Sequence, residues 1–102
     1  MRTVVHRQAE NELIKAADYL DAQEPGAGLG DDLIKRMRAL TRQAAEAPRR
    51  YPVVDERRGI RRARDDRFPY VIELTVEPDH LFVLVIKHAS RLPSHGRNRK
   101  TD

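Results

Sequence analysis

The sequence predicts an α+β domain in which a small antiparallel sheet packs against a two-helix hairpin, with the order β-α-α-β-β-β. Three observations support this class: two stretches carry apolar residues at helical spacing, a strongly apolar hairpin lies towards the C-terminus, and 102 residues suffice for one modest core. We expect residues 1–93 to form the single domain and residues 94–102 to form a polar, basic tail.

The strongly apolar segment, residues 68–91, is predicted to be a β-hairpin. Its first half alternates apolar and polar residues, which is typical of a strand with one buried and one wet face. The apolar set is Tyr70, Ile72, Leu74 and Val76, and the polar set is Glu73, Thr75 and Glu77. A turn follows at residues 77–80, where Pro78 presets the backbone. Residues 81–86 are apolar without interruption, which indicates a strand covered on both faces.

The first half of the chain is predicted to contain a short strand and two helices. Residues 3–6 are short and β-branched, which favours a strand. The first helix has apolar residues at spacings of three and four, from Ala9 to Leu20, and a Pro-Gly loop ends it. The second helix is predicted over residues 29–47, before Pro48. The two helices should form an antiparallel hairpin whose apolar stripes face the sheet.

A third C-terminal strand is predicted at residues 59–65, directly before the hairpin. Alternation would put Ile60, Arg62 and Arg64 on one face. It would put Arg61, Ala63 and Asp65 on the other. With helices on one side only, the second face of the sheet is expected to be partly open.

Composition excludes several classes of function. The chain has no cysteine, so it has no disulfide, thiolate nucleophile or thiolate metal site. No His or carboxylate pair has a convincing ligand spacing, and the glycines of residues 26–30 link two helices instead of following a strand, so we expect no metal and no cofactor. The N-terminus does not resemble a signal peptide and no segment resembles a membrane span, so we expect a soluble, cytoplasmic protein with no membrane partner.

The net charge of +4 is concentrated in the second half, where residues 49–102 carry thirteen Lys and Arg against eight Asp and Glu. An arginine-rich stretch at residues 57–67 suggests a phosphate-binding face. Interleaved carboxylates and few aromatic residues argue against it, and a solvated surface explains the same charges.

His88 and Arg91 are the sharpest candidates for chemistry, because they stand where the apolar strand ends. An imidazole beside a fixed cation suits a general acid or base, or a phosphate clamp. Arg62 or Arg64 on the neighbouring strand could approach His88. The alternative is that His88 ends the strand and forms only local hydrogen bonds.

These residues also carry a resemblance. The segments RFPY at residues 67–70 and HASRLP at residues 88–93, preceded by a strand and an amphipathic helix pair, resemble the RelE/ParE superfamily of toxins from bacterial type II toxin-antitoxin pairs. The resemblance covers nearly the whole chain and implies a small antiparallel sheet with two helices on one side. Members commonly have an aromatic pair where this chain has His95 and Gly96, although Arg99 is retained, so the departure bears on toxicity.

The resemblance leaves the mechanism open between two branches. A ParE-like toxin would arrest growth by acting on DNA gyrase, without intrinsic catalysis. A RelE-like toxin would be a ribosome-dependent mRNA endoribonuclease, with His88 and Arg91 catalytic and Arg62 and Arg64 contacting phosphate. The long helical hairpin and the absence of a C-terminal Tyr favour the ParE-like branch. A third alternative is a non-toxic module that binds only an antitoxin.

Every branch implies a cognate antitoxin as the partner and allows higher-order toxin-antitoxin assemblies. An acidic antitoxin segment would fold onto the groove of the helix hairpin and the basic face of the sheet. The contact residues that we expect there are Leu33, Met37, Leu40 and Lys87.

Overall fold

Two helices and five strands make up the fold in a computed structural model that describes residues 1–101. The elements are β1 (Arg2–Val5), α1 (Arg7–Gln23), α2 (Leu29–Glu46), β2 (Val53–Asp55), β3 (Ile60–Arg64), β4 (Tyr70–Val76) and β5 (His80–His88). A single 3-10 turn, Pro48–Arg50, precedes β2. The predicted α+β class is confirmed, as are both helices and the C-terminal hairpin. Over residues 1–101, neither helix combines the length and the apolar character that crossing a membrane requires.

The sheet has the order β1-β5-β4-β3-β2 and is mixed. Strands β2 to β5 pair antiparallel, whereas β1 pairs parallel with β5, Val4 lying opposite Phe82. The sequence predicted four strands in an antiparallel sheet. The structure adds β2, and it corrects the direction of β1, which pairs parallel. Strand β2 has only three residues and lies in a charged stretch, so its sequence gives almost no strand signal. The composition of the four-residue β1 specifies neither its partner strand nor its direction.

Both helices bury their predicted stripes against one face of the sheet. Helix α1 buries Ala9, Leu13 and Ala17. Helix α2 buries Gly30, Leu33, Met37, Leu40 and Ala44. The two helices lie close together where they are joined, and there the Asp21 carboxylate accepts a hydrogen bond from the Gly30 N–H (N–Oδ1 2.8 Å). A Cβ on Gly30 would stand 2.7 Å from the backbone carbonyl oxygen of Ala17, which cannot move aside, so this close approach of the two helices requires glycine. The carboxylate also lies at the positive end of α2, which stabilises the N-terminus of the helix.

The second face of the sheet is covered, which corrects the expectation of a partly open, wet face. Glu73 and Thr75 were predicted to face water, but they are 0% and 4% exposed. A second apolar cluster lies on this side, formed by Ile60, Phe82, Leu84 and Val85. The uninterrupted apolar run of β5 is buried throughout, as its pattern predicted.

Residues 92–101, which we call the strap, lie across this second face. The segment predicted as a polar tail begins at residue 94, and its last residue, Asp102, is outside the described residues. Within the strap, Gly96 has φ +79°, and a Cβ there would lie 2.5 Å from Val85 Cγ2. The left-handed backbone and the close approach both require glycine at this position. The strap therefore rests directly on β5.

Candidate functional site

A polar groove of about 620 Å³ lies between α1 and the strap, at the end of β5. The two candidates from the sequence, His88 and Arg91, both lie on its wall. Helix α1 contributes Gln8, Asn11, Glu12, Lys15 and Ala16, the hairpin contributes Tyr70, Ile86 and Lys87, and the strap contributes His95 and Arg99. The groove is thus built from three segments that are distant in sequence.

The His88 ring is held by local contacts. Tyr70, its register partner on β4, meets it edge-on with ring centroids 5.3 Å apart. The Ser90 N–H donates a hydrogen bond to His88 Nδ1 (3.1 Å), and Ser90 Oγ lies 2.7 Å from the same nitrogen. Because a backbone N–H can only donate, Nδ1 accepts, and a neutral ring carries its proton on Nε2. His88 can therefore donate a hydrogen bond through Nε2, while Nδ1 is occupied by the turn.

Arg91 connects to a chain of polar contacts along the groove. Its Nη2 lies 3.5 Å from His95 Nδ1, and His95 Nε2 lies 2.5 Å from Glu12 Oε2. Arg99 donates two hydrogen bonds to the same carboxylate, at 2.7 Å and 2.9 Å. Burial opposes ionisation of Glu12, but the hydrogen bonds from Arg99 and His95 lower its pKa. Over residues 1–101, Lys15 and Arg91 have no carboxylate partner, so the groove carries excess positive charge.

Lys87 is buried and anchors the strap. Its side chain is 1% exposed. Its Nζ lies within 3.1–3.3 Å of the carbonyl oxygens of Leu92, Pro93 and His95. Glu73 lies 3.5 Å away, yet burial dominates and lowers the pKa of Lys87. Lys87 was expected to contact an antitoxin, but here its ammonium group is enclosed by the protein's own strap.

Glu73 is a fully buried carboxylate that holds the centre of the second face. Arg97 binds it with two hydrogen bonds (2.9 Å and 3.0 Å), and Arg62 binds it through Nε at 3.2 Å. Burial alone would raise the pKa of Glu73, but the Arg97 hydrogen bonds and the charges of Lys87, Arg97 and Arg62 lower it. Glu73 is therefore an ionised group inside the protein.

The structure does not bring Arg62 and Arg64 to His88. Arg62 and Glu73 are register partners on the face away from the helices, whereas His88 pairs with Tyr70, which belongs to the cluster under the helices. Arg64 lines two smaller pockets with Asp65 and Asp66. Residues paired across neighbouring strands have their side chains on the same face of the sheet. An arginine of β3 can therefore approach His88 on β5 only if both side chains point to the same face.

The three apolar residues expected to bind an antitoxin are buried. Leu33, Met37 and Leu40 are 0%, 1% and 6% exposed, because the regular stripe of α2 is the face that packs on the sheet. Beside them lies a smaller groove of about 240 Å³, whose lining includes Val5, Met37, Arg38 and Arg42.

Sequence reasoning missed the residues that join the strap to the domain, which are Glu12, Glu73, Arg97 and Arg99. Glu73 was expected to face water and Arg97 lies in the predicted tail, and partners 24 to 87 positions apart leave no local pattern. Arg99 alone gave a signal, because it matched the superfamily. Over residues 1–101, no three side chains of the metal-ligating types cluster closely enough to hold an ion.

Comparison with known proteins identifies the family. The model of the ParE toxin of the type II toxin-antitoxin system, parDE, matches residues 4–93. Among solved structures, the chromosomal ParDE TA system from P. aeruginosa matches with a TM-score of 0.75 and 16% identity, over 86% of this chain and 95% of that one. At this identity the likeness shows a shared fold. No curated protein sequence matches significantly. On the family match, which spans most of its length, the chain belongs to the ParE toxins of type II toxin-antitoxin systems.

Proposed function

We propose that this ParE-family toxin arrests bacterial growth by acting on DNA gyrase through protein contact, and that a cognate antitoxin neutralises it in the cytoplasm. The observation that carries the proposal is the family match over residues 4–93. It covers both helices, strands β2 to β5 and the second half of β1, so the family likeness is not confined to one motif.

The arrangement of cations supports a binding function over a ribonuclease. A phosphate-cleaving site needs cations that are free to meet a developing negative charge, and a group that can accept a proton. Here Arg62 and Arg97 are bound to Glu73, and Arg99 is bound to Glu12. His88 Nδ1 is already occupied by Ser90. Of the cations proposed for RNA cleavage, Arg91 alone lines the groove with His88.

The proposed antitoxin segment is acidic. Lys15 and Arg91 leave the polar groove positively charged, and Arg42 lines the smaller apolar groove, where Arg38 is paired with Glu10 at 2.8 Å. An acidic, amphipathic segment would satisfy both the charges and the apolar groove. Association should then be accelerated by electrostatic steering and should slow as the ionic strength rises.

Induced expression in a bacterial host tests the proposal. We expect loss of colony formation on induction, and rescue when a small antitoxin from the neighbouring reading frame is co-expressed. Growth that continues despite confirmed soluble expression would support the non-toxic module and contradict the proposal.

A translation extract tests the ribonuclease alternative. The gyrase hypothesis predicts no mRNA cleavage by the wild-type protein. Cleavage that is lost in the variants His88→Ala and Arg91→Ala, and retained in the control Arg50→Ala, would overturn it. Arg50 is an exposed arginine outside the groove and outside the arginine-rich stretch, so the control removes an arginine charge elsewhere on the surface.

A further inference from the structure

The outer edge of β5 is only half paired by β1. Their register runs from Arg2 opposite His80 to Val5 opposite Val83, and β1 ends there. Strand β5 continues to His88, so its outer edge from Leu84 onwards has no neighbouring strand within residues 1–101. The backbone groups on such an edge are a template for pairing with another strand.

Glu12 and Arg99 occupy this free edge. The Ile86 N–H donates a hydrogen bond to Glu12 Oε1 (3.3 Å), and Arg99 Nη1 donates one to the Leu84 carbonyl (3.0 Å). The two side chains are themselves joined by two hydrogen bonds, at 2.7 Å and 2.9 Å. Together they present one fixed acceptor and one fixed donor to β5. A peptide unit of a neighbouring strand would present the same pair of groups.

The rest of the strap covers the adjacent face of β5. Gly96 lies against Val85, and Arg97 reaches across to Glu73 on β4. The strap is held mainly by polar contacts, since Leu92, its one large apolar residue, is 74% exposed. An apolar cluster that includes Leu84 and Val85 lies underneath. Releasing the strap would thus uncover apolar surface and an unpaired edge at the same place.

We propose that the strap, together with Glu12, guards the edge of β5 against pairing with the same edge of a second copy. The free edge is self-complementary. In an antiparallel pair centred on Val85, the Leu84 carbonyl of each copy would meet the Ile86 N–H of the other, which generates a closed two-fold dimer. In the intact protein, Glu12 and Arg99 already satisfy both groups.

The double variant Glu12→Leu with Arg99→Met tests this proposal in the full-length chain. Replacing a buried ion pair by apolar side chains of similar size is often neutral for stability, so the domain should remain folded. The variant removes the acceptor and the donor that face β5. Lys100→Met is the matched control, because it removes one charge from an exposed strap position with no hydrogen bond or ion pair within residues 1–101.

Two measurements are needed, hydrogen exchange at the Ile86 amide and sedimentation over a range of concentrations. In the double variant we expect exchange at Ile86 to accelerate about tenfold or more under dilute conditions, as loss of a hydrogen bond to a charged group implies. We also expect a concentration-dependent dimer, which the wild type and Lys100→Met do not form. If the double variant does not fold, Glu12→Leu alone, which frees the Ile86 N–H, undergoes the same two measurements. Unchanged exchange at Ile86, or a folded variant that stays monomeric, would overturn the proposal. Both readouts are independent of growth arrest, so they stand apart from the proposed target.

Discussion

The variant Glu73→Gln should strongly destabilise the domain, although it replaces only one carboxylate oxygen by an amide NH2 group. Glutamine retains the shape of the side chain but removes the one negative charge that Arg62, Lys87 and Arg97 share. Two of these cations cannot turn to water, since the side chains of Lys87 and Arg97 are 1% and 16% exposed, whereas Arg62 is 28% exposed and can partly rehydrate. Breaking a buried pair by removing one partner typically costs about 3–5 kcal/mol.

Because Arg62 can rehydrate and glutamine still accepts hydrogen bonds, we expect the lower end of that range, about 3 kcal/mol. For a domain of this size, such a loss lowers the melting temperature by about 12 °C or more. Urea denaturation followed by circular dichroism measures the change. Glu56→Gln is the control, because Glu56 is exposed and unpaired within residues 1–101, and its variant should unfold like the wild type. A loss below about 1 kcal/mol for Glu73→Gln would refute the role of this cluster, since such a loss is close to the roughly 0.5 kcal/mol by which ordinary surface substitutions vary.

Three further outcomes follow from the same contacts. Glu12, Glu73 and Asp65 have lowered pKa values in the fold, so the unfolded chain binds their protons at higher pH. The contribution of these three carboxylates to the free energy of unfolding should therefore be constant above about pH 5 and be lost as the pH falls through the folded pKa values, and a free energy that does not decline between about pH 5 and about pH 3 would contradict this. In Glu73→Gln, the same titration should show a shallower decline. Gly96→Ala should cost about 2 kcal/mol or more in urea denaturation, because it adds left-handed strain and a clash with Val85. A midpoint equal to that of the wild type would show that the strap is not held at that contact.

The parts of the fold that could be predicted are those whose residues follow a local periodic pattern. The apolar stripe from Leu33 to Ala44 repeats at helical spacing. In the β-hairpin, apolar and polar residues alternate along β4, Pro78 marks the turn, and β5 is apolar without interruption, so both elements follow from neighbouring residues. The same local view placed Glu73 in water, because a carboxylate in an alternating strand usually faces solvent. The uninterrupted apolar run of β5 already indicated cover on both faces, but nothing local identified the strap as that cover.

The candidate site could be predicted only in part, for a related reason. His88 and Arg91 lie three residues apart at a strand end, so their proximity follows from the sequence. The pairing of Arg99 with Glu12 joins the two ends of the chain and depends on the complete tertiary fold. Tertiary packing therefore determines which arginines are paired with carboxylates and which are free. The free arginines determine what the groove can bind.

The most direct test of the central claim is a supercoiling assay with purified DNA gyrase and relaxed plasmid. We expect the purified toxin to inhibit supercoiling or to trap cleaved DNA in a dose-dependent way, and the cognate antitoxin to reverse the effect. Normal supercoiling at saturating concentrations of a folded toxin that arrests growth in cells would contradict gyrase as the target.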